Sequence, residues 1–240
     1  TVELTQLNGN SIHDTLKTNR LQKDTMLVIA DRTTQPYWLM EPHGKGKFNI
    51  SDFNLTGYPE NPDAPSVSIE IRINGQPITI NQLIKYKYTD PVRGEIYNPI
   101  VILPPLTAKS SSSLALTQNA RTVKVNLTFQ KNGQIGATTF HVKPNIPKGW
   151  EVLPASFDLS FKESERIISR EINIKPSDAT QSSIDTLGFL LNNKERLKEI
   201  KSIDYNHIPD IVYFPDAAIK MSNINLINDV AAVVNNDITT

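Results

Sequence analysis

Residue types that sugar-binding sites use lie close together near the start of the sequence. Tyr37 and Trp38 bring aromatic faces that can stack on the C–H groups of a sugar ring, and Glu41 and His43 bring groups that can bond its hydroxyls. Alternatively, Trp38 covers the end of a hydrophobic core, where its indole N–H finds a carbonyl acceptor. Trp150 has the same two interpretations, and its place after a Pro-x-Gly turn favours the core. The residue types therefore make 37–43 a candidate ligand-binding patch, and for Trp38 the core interpretation is the favoured one.

The sequence contains no motif that predicts catalysis or metal binding. Its histidines are far apart and have no partner at metal-ligand spacing: His13, His43, His141 and His207. Cysteine is absent, which removes disulfides, thiolate nucleophiles and cysteine-based zinc sites. There is no Gly-x-Ser-x-Gly turn, and the one closely spaced glycine pair lacks the strand-to-helix setting of a phosphate loop. We therefore expect no catalytic residues, no metal ligands and no cofactor.

The charge balance of the 240-residue chain argues against a nucleic-acid partner. Lysine and arginine together number 25, and aspartate and glutamate also number 25, so the formal net charge is zero. Nucleic-acid binding draws its affinity from a basic face, which this composition does not favour. No run approaches the roughly 20 apolar residues of a membrane span, and no signal peptide opens this chain. The oligomeric state is left open.

The elements that must position the patch read as short strands separated by turns. Val67–Ile73 alternates apolar and polar residues, and an Asn-Gly turn leads into a second strand. Further strands are predicted at 26–29, 122–129, 137–142, 157–161 and 167–174. Many short strands with regularly spaced turn signals indicate a sandwich. The predicted fold class is all-β, with two tandem immunoglobulin- or fibronectin-like β-sandwich domains and a short C-terminal tail.

The stretch Leu83–Leu106 is predicted to join the two domains. It reads as a strand, a proline-containing bend and a second, apolar strand, Ile100–Leu103, which two prolines end. The domain boundaries that follow are 1–99 for domain 1, 100–208 for domain 2 and 209–240 for a connector and tail. Domain 1 is expected to lack its first strand.

Six segments rich in aromatic residues and proline occur in a fixed order along the chain. The segments are Gln35–Leu39, Glu41–His43, Tyr58–Pro62, Tyr86–Tyr97, Pro147–Trp150 and Tyr205–Pro209. This set resembles the region that follows the catalytic domain in large PIG-L/LmbE-type deacetylases of Bacteroidetes-like bacteria. The resemblance covers residues 26–216, and its most specific part is Tyr86–Glu95. The second domain also resembles a sandwich domain that accompanies carbohydrate-active modules such as α-galactosidases.

The resemblance implies a location and excludes an activity. In that family, a zinc-dependent deacetylase domain with a His-Pro-Asp-Asp motif lies upstream of the matching region. This chain has no such motif, so none of the family's metal or catalytic residues carries over. The resemblance implies an exported protein, placed in the periplasm, in the cell envelope or outside the cell.

Two functions are therefore carried forward, and neither is enzymatic. The first is an accessory or spacer region that positions the neighbouring domains of a longer polypeptide, which are then its partners. The alternative is a carbohydrate-binding module whose 37–43 patch, formed by Tyr37, Trp38, Glu41 and His43, contacts a glycan. Exposed, coplanar aromatic rings would favour the binding module, and buried tryptophans would favour the spacer.

Overall fold

In the computed structural model of the chain, β-strands account for nearly all regular structure. The residues described are 2–5, 11–14, 19–21, 23, 33–58, 65–73, 75–118, 121–133, 136–177, 184–205 and 208–224. Their other regular elements are two single-turn 3-10 helices, Tyr37–Leu39 and Phe53–Leu55. This confirms the predicted all-β class. The strand predicted at 26–29 lies outside the described residues. No helix in the described ranges is both long enough and apolar enough for a membrane span.

The chain divides into two compact units, and each is built from two stretches of sequence. Unit 1 comprises Thr1–Leu103 and Ser202–Tyr213, and unit 2 comprises Pro104–Lys201 and Phe214–Thr240. The first division falls four residues after the predicted boundary at 99. The larger difference is near the C-terminus, because the segment predicted as a connector and tail is shared between the two units.

Unit 1 contains a four-stranded antiparallel sheet with the order β2-β1-β3-β4. Its strands are β1 (Val2–Thr5), β2 (Ser11–Asp14), β3 (Ser66–Ile73) and β4 (Gln76–Leu83). The β3–β4 hairpin pairs Ile69 with Ile80 and Ile71 with Ile78. Gly75 in its turn has a φ of 80°, a conformation that glycine adopts without a steric penalty. The predicted strand at 67–73 and its hairpin partner are therefore confirmed.

Two further hairpins belong to unit 1. The first pairs β5 (Lys85–Asp90) with β6 (Gly94–Pro99), and the second pairs β16 (Lys201–Tyr205) with β17 (Ile208–Tyr213). The first hairpin corrects the interpretation of Leu83–Leu106. The partner strand is β6, and the predicted strand at Ile100–Leu103 has no strand structure.

The turn between β5 and β6 explains this correction. The carboxylate of Asp90 accepts the backbone N–H groups of Val92 at 2.8 Å and Arg93 at 2.7 Å. Gly94 follows with a φ of 80°. An aspartate that bonds the backbone two and three residues ahead, followed by a glycine of positive φ, reverses the chain tightly. Pro91, the proline of the predicted bend, therefore lies in a hairpin turn within unit 1.

Unit 2 contains two sheets. The larger sheet has the order β12-β10-β14-β18-β8, with the short β15 paired to β14, and the smaller sheet has the order β11-β13-β9-β7. The larger sheet is formed by β8 (Leu114–Gln118), β10 (Thr138–Asn145), β12 (Phe157–Phe161), β14 (Ile184–Leu191), β15 (Glu195–Arg196) and β18 (Ala218–Ile224). The smaller sheet is formed by β7 (Leu106–Ser110), β9 (Val123–Lys131), β11 (Trp150–Leu153) and β13 (Ile167–Pro176).

The hydrophobic core of unit 2 receives alternate residues from both sheets. In β9, Val125, Leu127 and Phe129 are buried while the residues between them are exposed. The ring of Phe129 in the smaller sheet lies 5.4 Å from that of Phe157 in the larger sheet, in an edge-to-face arrangement. Such alternation is typical of two sheets that pack through their inner faces. Unit 2 is therefore sandwich-like.

The last strand of unit 2 lies inside its larger sheet. β18 pairs antiparallel with β14 and parallel with β8. Ile219 and Met221 of β18 are completely buried. The third inward residue is Asn223, which breaks the apolar alternation, and Thr117 does the same in β8. These inward polar residues are the physical reason why the sequence pattern indicated a tail where β18 lies and no strand at Leu114–Gln118.

We predict that the burial of Ile172 contributes strongly to the stability of unit 2. Ile172 is fully buried in β13, whereas Ile167 on the same strand is 56% exposed. Ile172→Ala should lower the free energy of unfolding by about 2–5 kcal/mol through lost burial and a residual cavity, and Ile167→Ala by less than about 0.5 kcal/mol. Urea denaturation followed by Trp150 fluorescence, in a Trp38→Phe background, measures both. Equal losses would contradict the assigned inner face of β13.

Candidate functional site

The aromatic residues of the predicted 37–43 patch pack against each other. Tyr37 is 9% exposed, and its hydroxyl accepts the backbone N–H of Gly57 at 3.2 Å. The ring of the half-buried Trp38 lies 4.9 Å from that of Tyr37 at an interplanar angle of 89°. Two perpendicular rings, one of them buried, do not form a flat stacking platform.

The polar members of the patch are exposed. Glu41 and His43 both face solvent. The Nδ1 atom of His43 lies 3.3 Å from the carbonyl oxygen of Gly44, and its ring is 5.1 Å from that of Phe48. In the described part of the chain, no hydrogen bond or ring contact joins Glu41 or His43 to Tyr37 or Trp38. The structure thus brings two of the four predicted residues together, and sugar binding by the patch stays a prediction.

Trp150 belongs to the core of unit 2. It is 7% exposed, and its indole Nε1–H donates to the Asp185 carboxylate at 2.8 Å. A buried tryptophan needs an acceptor for this N–H, and Asp185 on β14 supplies it. The favoured core interpretation of Trp150 is therefore confirmed.

One histidine makes a contact that the sequence reading did not identify. His141 of β10 lies directly opposite Asp158 of β12, and the distance from Nδ1 to the carboxylate is 2.7 Å. The imidazole is 36% exposed and the carboxylate 68%. Among the described residues, no three His, Asp or Glu side chains converge as a metal site would require. His207 and the side chain of His13 lie outside the described residues.

Asp216 holds two cations beside the larger sheet of unit 2. Its carboxylate accepts Nη1 of Arg196 and Nζ of Lys198, each at 2.8 Å. Burial, the largest single influence, acts to raise the pKa of Asp216. The hydrogen bonds from Lys198 and Arg196 together outweigh burial and lower that pKa below its ordinary value of 3.8.

The buried polar side chains of unit 2 have partners. Thr117 donates its hydroxyl proton to Oδ1 of Asn223 at 2.9 Å, and both residues are 1% exposed. The ammonium of Lys131, also 1% exposed, donates to the backbone oxygens of Gly136 at 2.8 Å and Lys162 at 3.2 Å. A buried polar group without a partner is costly, so these contacts let the core tolerate polar residues.

The β5–β6 hairpin of unit 1 carries different chemistry on its two faces. On one face, Lys87 forms an ion pair with Glu95 at 2.6 Å, and the Tyr97 hydroxyl donates to the same carboxylate at 2.9 Å. These hydrogen bonds raise the pKa of Lys87 and lower that of Glu95. On the other face, the rings of Tyr86 and Tyr88 stack with centroids 5.7 Å apart and an interplanar angle of 24°.

A groove of about 460 Å³ adjoins the tyrosine face of this hairpin. It is lined by Tyr86, Asn98, Pro99, Ile100, Val101, Asp210 and Val212. Asp210 and Val212 come from β17. The sequence reading missed this site, although the alternating Tyr-Lys-Tyr pattern places both tyrosines on one strand face.

We predict that Asp216 makes stability depend on pH in the acid range. A lowered pKa in the folded state stabilises the protein above the unfolded-state pKa, and the contribution disappears as pH falls through the folded value. The stability difference between wild type and Asp216→Asn should therefore be constant above about pH 5 and shrink below the ordinary value of 3.8.

Urea titrations of both proteins at several pH values measure this difference. Asp204→Asn is a matched control, because Asp204 is exposed and lies outside this ion cluster. A difference that stays constant down to the lowest pH would contradict the assigned role of Asp216.

Comparison with known proteins adds no family assignment. No protein-family model matches the chain, and no curated protein matches its sequence.

Proposed function

We propose that the chain is a non-catalytic accessory region of an exported, carbohydrate-active protein of the deacetylase-like kind, and that it positions neighbouring domains of a longer polypeptide. One observation carries the proposal: in the described part of unit 2, the buried polar side chains bond to each other or to the backbone. Asp216, Trp150, Lys131 and Thr117 all contribute such contacts. Polar groups used in this way stabilise a fold and leave little free to act on a substrate.

The His141–Asp158 pair is the strongest argument for an enzyme, and its surroundings favour a structural role. The two residues are direct cross-strand neighbours, and β12 is the outermost strand of its sheet. Opposite charges at such positions contribute modest pairing energy, and charges on an edge strand discourage pairing with other chains. The exposed carboxylate of Asp158 also contrasts with catalytic carboxylates, whose chemistry relies on a pocket that excludes water.

One cavity in the described part of unit 2 is too small for a sugar. A cavity beside Ala108, Leu127 and Phe189 has a volume of about 80 Å³. Ligand pockets commonly measure about 300–1,000 Å³. A cavity of this size accommodates a few water molecules and leaves no room for a sugar substrate.

The proposed location and partners rest on the sequence resemblance. The segments from Gln35 to Pro209 that resemble the region downstream of PIG-L/LmbE-type catalytic domains would place the protein in the periplasm, in the cell envelope or outside the cell. The neighbouring domains of the longer polypeptide would then be its partners. A chain without cysteine folds in the same way in oxidising and reducing compartments, which is compatible with export.

We predict that the purified chain has no hydrolase or deacetylase activity. N-acetylated amino sugars, their oligomers and chromogenic glycosides should show no turnover above a buffer blank, with or without added Zn²⁺. Release of acetate and of the chromophore measures this.

The variants His141→Gln and Asp158→Asn make the assay specific. Saturable turnover by the wild type would overturn the non-catalytic proposal, and its loss in both variants would identify this pair as the catalytic group. Turnover that survives in both variants would overturn the proposal equally and assign the activity to another site.

A further inference from the structure

We propose that the groove beside Tyr86 binds a pyranose sugar that carries a protonated amine. This site is separate from the 37–43 patch, and its ligand class follows from the lining residues. It does not depend on whether the chain acts as an accessory region. The inference rests on three features of unit 1: an exposed aromatic ring, polar groups that have no partner among the described residues, and a negative charge with no described cation bonded to it.

The aromatic surface is provided by Tyr86 and supported by Tyr88. Tyr86 is 61% exposed and lines the groove, whereas Tyr88 stacks against it, is 38% exposed and does not line the groove. One face of the Tyr86 ring is therefore covered by a neighbour that holds the ring in place, and the other remains for a ligand. Aromatic rings bind the apolar C–H face of a pyranose, and a ring held in advance loses less conformational entropy on binding.

The polar groups of the groove are suited to sugar hydroxyls. Asn98 lies directly opposite Tyr86 in the hairpin register, so their side chains share one face. Within the described ranges, neither the Asn98 amide nor the phenol of Tyr86 makes a hydrogen bond. Together they offer donors and acceptors beside the apolar side chains of Ile100 and Val101. A few polar groups set in an apolar wall are typical of small-molecule sites.

Asp210 sets the charge of the preferred ligand. Asp210 is exposed and lines the groove, and its carboxylate forms no ion pair or hydrogen bond with any described residue. No lysine or arginine is among the lining residues. The two lysines of β5, Lys85 and Lys87, flank Tyr86 and lie on the opposite face of the hairpin by strand alternation, and Lys87 is paired with Glu95. A ligand with a protonated amine complements this charge, whereas an acidic sugar meets repulsion.

The volume of the groove agrees with this class of ligand. At about 460 Å³ it lies within the range of about 300–1,000 Å³ common for small-molecule sites. The groove is open at the surface, so it can accept one or two residues of a longer oligosaccharide while the rest of the ligand stays in solvent.

Calorimetric titration with three sugar tetramers tests the proposal. They are the tetramer of glucosamine, the tetramer of N-acetylglucosamine, and cellotetraose. At about pH 6, where an amine of ordinary pKa is protonated, the glucosamine tetramer should bind saturably and about threefold to fivefold more tightly than the neutral tetramers. Binding of none of the three would overturn the site. Equal binding of all three, or tighter binding of a neutral tetramer, would overturn the amine preference.

Matched variants locate the binding. Tyr86→Ala should weaken binding of every tetramer about tenfold or more, and Tyr86→Phe should stay within about threefold because it keeps the ring. Tyr97→Ala is the control, since Tyr97 lies on the opposite face of the same hairpin with 51% exposure. Amide NMR spectra verify that each variant is folded. Equal losses in Tyr86→Ala and Tyr97→Ala would overturn the assignment of the site.

The charge is tested separately. Asp210→Asn should reduce the affinity for the glucosamine tetramer to that for the neutral tetramers and leave the neutral tetramers unchanged. Asp204→Asn, on the neighbouring strand β16 and outside the groove, should change neither. If Asp210→Asn leaves the glucosamine affinity unchanged, Asp210 does not select the ligand and the amine preference is wrong. None of these results depends on the assay for catalytic activity.

Discussion

The position of β18 between β14 and β8 determines how the larger sheet of unit 2 is assembled. β18 bonds antiparallel to one neighbour and parallel to the other, and it brings Ile219 and Met221 into the core. Without it, β14 and β8 would each lose a partner, and their backbone groups would be unpaired beside a hydrophobic core. The Thr117–Asn223 hydrogen bond favours this register, because it gives two directly opposed buried polar side chains a partner in each other.

The sequence predicts the fold well where the inward positions are apolar. β3, β9, β12 and β13 all alternate clearly, and each lies close to its predicted position. β8 and β18 were missed because Thr117 and Asn223 occupy inward positions. A polar residue there has the pattern of a loop until its partner is known, and that partner lies 106 residues away. Local periodicity contains no information about such a distant pairing.

The same limit applies to the candidate sites. The stacking of Tyr86 and Tyr88 was recoverable, because residues two apart in a strand share a face. The place of Asp210 in the groove could not be predicted from the sequence, because Asp210 reaches the groove only when the chain returns to unit 1 through β17. In the 37–43 patch, burial of Tyr37 depends on contacts such as that with the backbone of Gly57, which residue types alone do not reveal.

Polar side chains are used differently at two places among the described residues: the buried ones of unit 2 have partners, whereas Tyr86, Asn98 and Asp210 in the groove of unit 1 form no side-chain hydrogen bond with a described residue. In unit 2, this pairing of polar groups requires β18 to lie inside the larger sheet. Native-state amide hydrogen exchange measures whether it does. We expect the amides of Ile219 and Met221 to exchange as slowly as those of Val125 and Leu127 in β9, through global unfolding of the unit. Exchange of the β18 amides at the rate of an unstructured tail, with β9 still protected, would contradict it.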